Sequence, residues 1–325
     1  MRDDVSPAFV VVGEALIDLS PPAADGSYVA RPGGSPMNVA IGLARLGQPT
    51  AFAGRLSADP FGTVLRRHLE RSAVGLQHVV AAEDPSTIAL VELAGGQARY
   101  QFSLGADFQW LAAELAFLPG GAQAVHFGSL ASWLPPGDAA VAVAIGALRQ
   151  AGSVLVSYDP NVRPALQPDS AAARRQVEQS VALAHVVKAS RDDLAWLYGP
   201  DTADVVARRW LDLGAGLVVI TAGADGATGW TPDQPPVTRP SRQVKVVDTV
   251  GAGDAFTSGL LDALARRGLL APGGLAALRD TAALAAILDE ASWIAGITCS
   301  RAGANSPTRA EADELARGAP GRSEA

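Results

Sequence analysis

The sequence predicts an α/β protein: a mostly parallel sheet covered by helices on both faces, with a small β appendage. Short apolar runs alternate with helical patterns along most of the 325 residues. Helix-length segments separate the runs, which is the spacing that parallel crossovers need. One segment, residues 86–103, breaks the rhythm with two extended stretches around Gly95-Gly96, a hairpin signal.

Along the chain, Phe9–Val12 reads as the first strand. The stretch Asp18–Arg31 is too polar and proline-rich for a core helix. Pro36–Leu46 then reads as a helix, with Ser35 as cap, Pro36 at the first helical position and Gly47 as the stop. A strand at Thr50–Ala53 and a helix at Gly62–Ser72 follow. Ser86–Leu93 and Gln97–Ser103 form the hairpin, so the appendage covers about 14–33 and 86–105 and reads as a lid. Strands at Ala124–Phe127, Val154–Tyr158, Val186–Lys188 and Leu217–Thr221 alternate with helices at Asp138–Ala151, Ala171–Ala184 and Thr202–Leu213. A further strand is expected at Val244–Val247. Asp254–Arg267 is an amphipathic helix with Phe256, Leu260, Leu261 and Leu264 on one side and Gly268 as its stop. Leu275–Cys299 is apolar almost all round and reads as a buried helix. A charged tail begins near 310. No repeat or low-complexity linker interrupts the chain, so a single domain over 1–325 is expected.

Composition excludes several functions. A net charge of −7 is wrong for a nucleic-acid surface. One cysteine, Cys299, excludes a disulfide framework, and it reads as core rather than nucleophile. His68, His78, His126 and His185 form no HExxH pattern. Lys188 and Lys245 are the only lysines and neither follows a glycine, so no P-loop is present; HRD and DFG triplets are absent too. A GxGxxG after the first strand is missing, which sets aside a dinucleotide enzyme. The N-terminal apolar run is broken by Glu14 and Asp18, and the longest uncharged stretch, 115–137, carries three prolines and several glycines. The expectation is a cytoplasmic protein with no membrane span.

The most informative motif is Asp248-Thr249-Val250-Gly251-Ala252-Gly253-Asp254. Small residues lead into a helix start, where free N–H groups form an anion cradle. A carboxylate there repels an anion unless it has work to do, and removing a proton from an attacking hydroxyl is such work. A capped helix after a tight turn is the local alternative. Near the other end, Gly33-Gly34-Ser35-Pro36-Met37-Asn38 would let a ligand approach the backbone and offer it an amide, or simply make a turn. Three more clusters follow strand ends: Asp159-Pro160-Asn161-Val162-Arg163, Lys188 through Asp193, and Thr221 through Gly226. Each alone is a good turn or cap. Together they mark one edge of the sheet, outside the carboxyl ends of its strands, where ligands bind in such folds.

These motifs resemble the PfkB (ribokinase-like) carbohydrate kinase family over about Val11 to Pro307, and within it the bacterial fructokinases. The resemblance implies a ribokinase-like three-layer fold and transfer of a phosphoryl group from ATP to the primary hydroxyl of a small sugar, fructose first. It implies that Asp254 is the base and that Gly251, Ala252 and Gly253 form the anion hole. Asp18, Gly33, Gly34, Asn38 and Arg163 would bind the sugar, with Asn161 and Arg163 between sugar and nucleotide. Ser190 and Asp193 match an Asn/Ser-x-x-Glu position near the phosphates and Mg²⁺. Thr221, Gly223, Gly226, Ser292, Gly303 and Ala304 would lie along the nucleotide, and a K⁺-type ion would sit near Asp248 and Val250. A homodimer through the lid is implied as well. Three departures stand out: Ser57 replaces a glycine, Asp193 a glutamate, and Ser103 an aromatic of a shortened lid loop. A kinase for 2-keto-3-deoxygluconate, a ribose or nucleoside kinase, and a catalytically silent binding protein on the same scaffold are the alternatives.

Overall fold

The computed structural model describes residues 7–19, 27–94, 97–105 and 109–318. Its centre is an eight-stranded sheet. From edge to edge the strands are β14 (Val237–Arg239), β13 (Ala227–Trp230), β12 (Leu217–Thr221), β11 (Val186–Ser190), β10 (Leu155–Asp159), β9 (Ala124–Gly128), β1 (Phe9–Val12) and β4 (Thr50–Ala53). Neighbours from β12 to β4 pair in parallel, and β13 and β14 add on antiparallel.

The inner strands are buried on both faces, and their side chains alternate between two cores. Phe9 and Val11 pack with α1 (Ser35–Arg45), α2 (Pro60–Arg71), α7 (Ala252–Arg266) and α8 (Thr281–Cys299). Val10 and Val12 pack on the opposite side with α3 (Asp138–Ala151), α4 (Ser170–Leu183), α5 (Arg191–Tyr198) and α6 (Ala203–Asp212). A last helix, α9 (Arg309–Gly318), is tied to α8 by the Trp293 indole donating to the Ala312 carbonyl.

The appendage is a four-stranded sheet ordered β3 (Ala30–Gly33), β2 (Leu16–Leu19), β7 (Ile88–Ala94) and β8 (Gln97–Ser103). The predicted turn Gly95-Gly96, part of the 18–31 stretch and part of the lid loop lie outside the described residues. A two-stranded pair, β5 (Arg55–Ser57) with β6 (Val80–Ala82), has no counterpart in the sequence reading. Its strands are three residues long, too short to carry a period.

Several expectations need correction. Val244–Val247 is not a strand: it runs as an irregular segment with Val246 and Val247 exposed. The Val247 N–H bonds to the Cys299 carbonyl at the end of α8 instead of to a sheet neighbour. The expected helix Leu275–Cys299 is broken, because a 3₁₀ segment ends at Arg279 and Asp280 caps a new helix by accepting from the Ala282 N–H. The short helix α5 was not anticipated beyond its cap, Ser190. Among the described residues α8 alone is long and apolar enough to cross a membrane. Here it packs along α7 and over β13 and β14, as a core helix does.

Candidate active site

The site is organised around the first turn of α7. Gly251 is its N-cap, at φ 73°, a conformation that side chains resist. A Cβ there would lie 2.4 Å from the Cβ of Ala304. Ala252 spends its N–H on the Thr249 carbonyl, and the first bond within the helix runs from the Ala255 N–H to the Gly251 carbonyl. The N–H groups of Gly253 and Asp254 therefore stand at a helix N-terminus without a backbone acceptor, an arrangement that attracts anions.

Asp254 joins the two ends of the sequence. One carboxylate oxygen accepts from the Ser35 hydroxyl at 2.6 Å and the other from the Asn38 amide at 2.8 Å. Both donors sit on the first turn of α1. The predicted capping role of Ser35 is corrected by this geometry: Gly34, at φ 107°, occupies the N-cap, and the Ser35 hydroxyl is turned to Asp254. Gly34 must be bare because a Cβ would come within 2.8 Å of the Glu14 carbonyl. Burial raises the Asp254 pKa; the hydrogen bonds and the charge of Lys188 oppose this, and Asp159 adds to it.

On one side of Asp254 lies a cavity of about 280 Å³ with polar walls. Gly34, Ser35 and Asn38 form one side, Arg163 another, and Gly251 and Asp254 the base. Asp18, Leu16, Ala89 and Phe102 reach it from the appendage, so that sheet supplies a wall. Gly33 sits beneath Asp18, whose carboxylate occupies the space a Cβ would need. Burial raises the Asp18 pKa to about 6, with Arg163 opposing and Asp254 adding. Glu14, only 1 % exposed, has its pKa raised by burial to about 7 against the opposing effects of its hydrogen bonds and Arg163.

On the other side, a cavity of about 370 Å³ is bordered by Asn161, Lys188, Ser190, Asp193, Thr221 and Gly253. The Lys188 ammonium lies 3.1 Å from where a Gly253 Cβ would be, directly beneath the helix start. It is buried and paired with Asp159 at 2.8 Å. Burial works against its charge, yet Asp159 and the neighbouring carboxylates raise its pKa overall. Asp193, aimed inward, accepts from the Ser190 N–H and hydroxyl with one oxygen and from the Val162 N–H with the other. The shorter side chain thus closes a capping box and braces the 161–163 loop.

A third cavity, about 310 Å³, continues outward between Thr221, Gly223 and Gly226 on one wall and Ser292, Gly296 and Cys299 on the other. Phe256 and the irregular segment around Val244 and Val246 complete it. Cys299 is therefore a cavity residue as much as a core one, and burial and Asp248 raise its thiol pKa. Gly303 and Ala304 do not border this cavity. The Gly303 N–H donates to Asp248 at 2.8 Å and Ala304 abuts Gly251, so both lie behind the helix-start loop.

Asp248 also accepts from the Val250 N–H at 3.0 Å. Burial would raise its pKa, but these bonds, the Thr249 N–H and the charge of Arg31 lower it overall. A carboxylate is a hard oxygen donor of the kind a cation such as K⁺ takes. Among the described residues no group of three or more His, Cys, Asp or Glu could hold a metal, so a divalent ion here would depend on phosphate oxygens and water. His126 is structural: buried, bonded to the Ser157 hydroxyl, and lowered by burial and Lys188 to about 3. Ser57 serves locally by accepting from the Asp59 N–H, and Ser103 is exposed while its neighbour Phe102 faces the cavity.

Ser35, Glu14, Ser129 and Phe102 were not singled out as site residues from the sequence. For Ser35 the diglycine before it was the signal: a cap already filled by Gly34 leaves the hydroxyl available. Glu14 and Asp18 share the turn after β1 and strand β2, and carboxylates ending an apolar run are a readable signal. Ser129 and Phe102 had none.

Comparison with known proteins agrees with this geometry. The model of the pfkB family carbohydrate kinases matches residues 7–311. A fructokinase from Rhizobium leguminosarum bv. trifolii is 38% identical over 275 residues, covering 83% of each chain. The structure of a Xylella fastidiosa fructokinase with bound ATP superposes with a TM-score of 0.87 at 26% identity, over 95% of this chain and 98% of that one. That of a Vibrio cholerae fructokinase with fructose, ADP and calcium ion gives 0.81 at 28% identity, over 96% and 99%. An anion-binding helix start, a carboxylate held by the opposite end of the sequence and this breadth of similarity lead to one assignment: the chain belongs to the pfkB family of carbohydrate kinases.

Proposed function

We propose that this chain is an ATP-dependent fructokinase that moves the γ-phosphoryl group of ATP to a primary hydroxyl of fructose. The observation that carries the reading is the position of Asp254, which lines the polar cavity while its neighbour Gly253 lines the two cavities beyond the helix start. A hydroxyl of a sugar in the polar cavity would lie against the carboxylate. A terminal phosphate arriving from the other side would lie against the N–H groups of Gly253 and Asp254.

In this reading the hydroxyl oxygen attacks the γ-phosphorus as the bond to the bridging oxygen breaks, and Asp254 takes the hydroxyl proton. Ser35 and Asn38 hold the carboxylate in line. Gly251, Ala252 and Gly253 leave the helix start bare for the equatorial oxygens, and Lys188 adds positive charge below. Asp18, Gly34, Asn38 and Arg163 bind sugar hydroxyls, while Thr221, Gly223, Gly226 and Ser292 face the nucleotide. Mg²⁺ bound with the phosphates would neutralise their charge near Ser190 and Asp193, and a K⁺-type ion near Asp248 and Val250 would steady the loop. Association into a homodimer through the appendage belongs to the same reading, and light scattering checks it.

The walls favour a neutral sugar. Glu14, Asp18 and Asp254 supply three carboxylates against one guanidinium, Arg163. The acid group of 2-keto-3-deoxygluconate would be repelled there unless those carboxylates took up protons. A coupled assay of ADP release over fructose, ribose, adenosine, tagatose and 2-keto-3-deoxygluconate tests the proposal. The highest kcat/KM is expected with fructose; an acidic sugar or a nucleoside at the top would overturn it.

A further inference from the structure

Beyond its share of the cavity's negative charge Glu14 has no role so far, yet it is the most deeply buried carboxylate of the sugar cavity. It accepts from the Ala131 N–H at 3.3 Å and is hydrogen-bonded to the Ser129 hydroxyl. The Ser129 oxygen in turn accepts from the Asn161 amide at 3.3 Å. The Asn161 side-chain carbonyl accepts from the Arg163 guanidinium at 2.8 Å, and the same guanidinium nitrogen reaches the Asn161 and Val162 carbonyls. Four residues thus form one bonded chain. It starts at Glu14 in the sugar cavity and ends with Arg163 in another part of its wall, and Asn161 also borders the phosphate-side cavity.

The backbone gives a second, independent observation. Ser129 and Asn161 are both in the left-handed region, at φ 52° and φ 38°, although neither is glycine. For Ser129 this conformation costs roughly 1–3 kcal/mol and persists where surrounding contacts enforce it, whereas Asn adopts it more readily. The two residues are bonded to each other, and the Glu14 carboxylate stands at their end.

We infer that Glu14 is a substrate-positioning residue: through Ser129 and Asn161 it holds Arg163 against the sugar. It touches neither reacting atom. Its effect is to keep the guanidinium oriented and electrically balanced, and it needs its charge to do so. The charged groups facing this array are Arg163 from the loop after β10, Asp18 from β2 and Asp254 from α7. Burial raises Glu14 to about 7, so loss of its charge falls within an accessible range, above the position of Asp18 at about 6.

The inference rests on the sugar-kinase reading, and its test separates the two. Steady-state kinetics with fructose between pH 5.5 and 8.5 are compared for the wild type, Glu14→Gln and Ser129→Gly. The second variant cuts the chain while suiting the left-handed backbone, so it is expected to fold. For both variants the sugar KM is expected to rise about tenfold with kcat within about threefold and the ATP KM unchanged. The rise of kcat/KM for the sugar with pH loses the contribution of Glu14 in Glu14→Gln and keeps those of Asp18 and Asp254. Unchanged sugar KM and an unchanged pH profile, or a parallel fall in kcat and both KM terms, would overturn the inference. A wild type that phosphorylates no sugar would instead overturn the kinase reading. In that case thermal melts over the same pH range still test Glu14, because its ionisation above pH 7 must be visible as a difference between the wild type and Glu14→Gln.

Discussion

The two cavities that meet at α7 are built from opposite materials. The polar cavity, the proposed sugar side, is walled by side chains that form hydrogen bonds or carry charge: Glu14, Asp18, Ser35, Asn38, Arg163 and Asp254. The outer cavity, the proposed nucleotide side, is walled largely by Gly223, Ala224, Val244, Val246, Phe256 and Gly296. The first is suited to hold many hydroxyls in fixed directions, which demands rigid polar partners. The second is suited to a flat ring and a chain of phosphates, which demands bare backbone and apolar surface. The difference teaches that substitutions on the two sides should separate sugar binding, nucleotide binding and chemistry from one another.

The largest effect is expected where the sides touch. Asp254→Asn should lower kcat by about 10²–10⁴ with little change in sugar affinity, because the amide keeps the shape but cannot take the proton. Rate and calorimetric binding measurements check this, and near-normal turnover would remove Asp254 from the role of base. Lys188→Met comes next. It leaves the buried Asp159 carboxylate without its ion-pair partner and should cost about 3–5 kcal/mol of stability, together with a higher ATP KM. Chemical denaturation reads the first part; an unchanged midpoint would mean that water already screens the pair.

Smaller and purely one-sided effects follow. The Glu14 pKa in the folded protein lies above its unfolded value, so the stability linked to its proton is complete below about 4.5 and is lost as pH rises through about 7. The rise from 4.5 to about 7 corresponds to roughly 3 kcal/mol at most. Glu14→Gln should therefore melt higher than the wild type at pH 8, with the gap closing toward pH 4.5. A gap that widened at low pH would reverse the assignment. On the nucleotide side, a Cβ at Gly296 would sit 3.3 Å from a Val244 methyl, so Gly296→Val should narrow the outer cavity. A rise in ATP KM of about three- to tenfold, with sugar KM unaltered, is expected. Equal changes in both constants would mean that the two sides are not separable.

Much of this was legible in the sequence because its signals are local. The period of apolar residues located β1, β4, β9, β10, β11 and β12, and the glycine spacing located both helix starts. Where signals depend on distant partners, reading along the chain failed. Val244–Val247 has the composition of a strand, but the sheet ends at β14 and its Val247 N–H goes to the end of α8. Ser35 looked like a cap because caps are local, whereas its partner lies 219 residues away. Gly303 and Ala304 were placed along the nucleotide by likeness alone; in three dimensions they brace Asp248 and Gly251 from behind. Phe102 was hidden because the strand alternation that turns it inward also exposes Ser103, the residue that drew attention.

The central claim is that a sugar hydroxyl and a terminal phosphate meet at Asp254. A crystal structure with fructose and a non-hydrolysable ATP analogue tests it most directly. The account predicts the primary hydroxyl oxygen within about 3.2 Å of the Asp254 carboxylate, with the terminal phosphate against the N–H groups of Gly253 and Asp254. Fructose bound with that hydroxyl turned away from Asp254, or the phosphate seated elsewhere than at the start of α7, would contradict it.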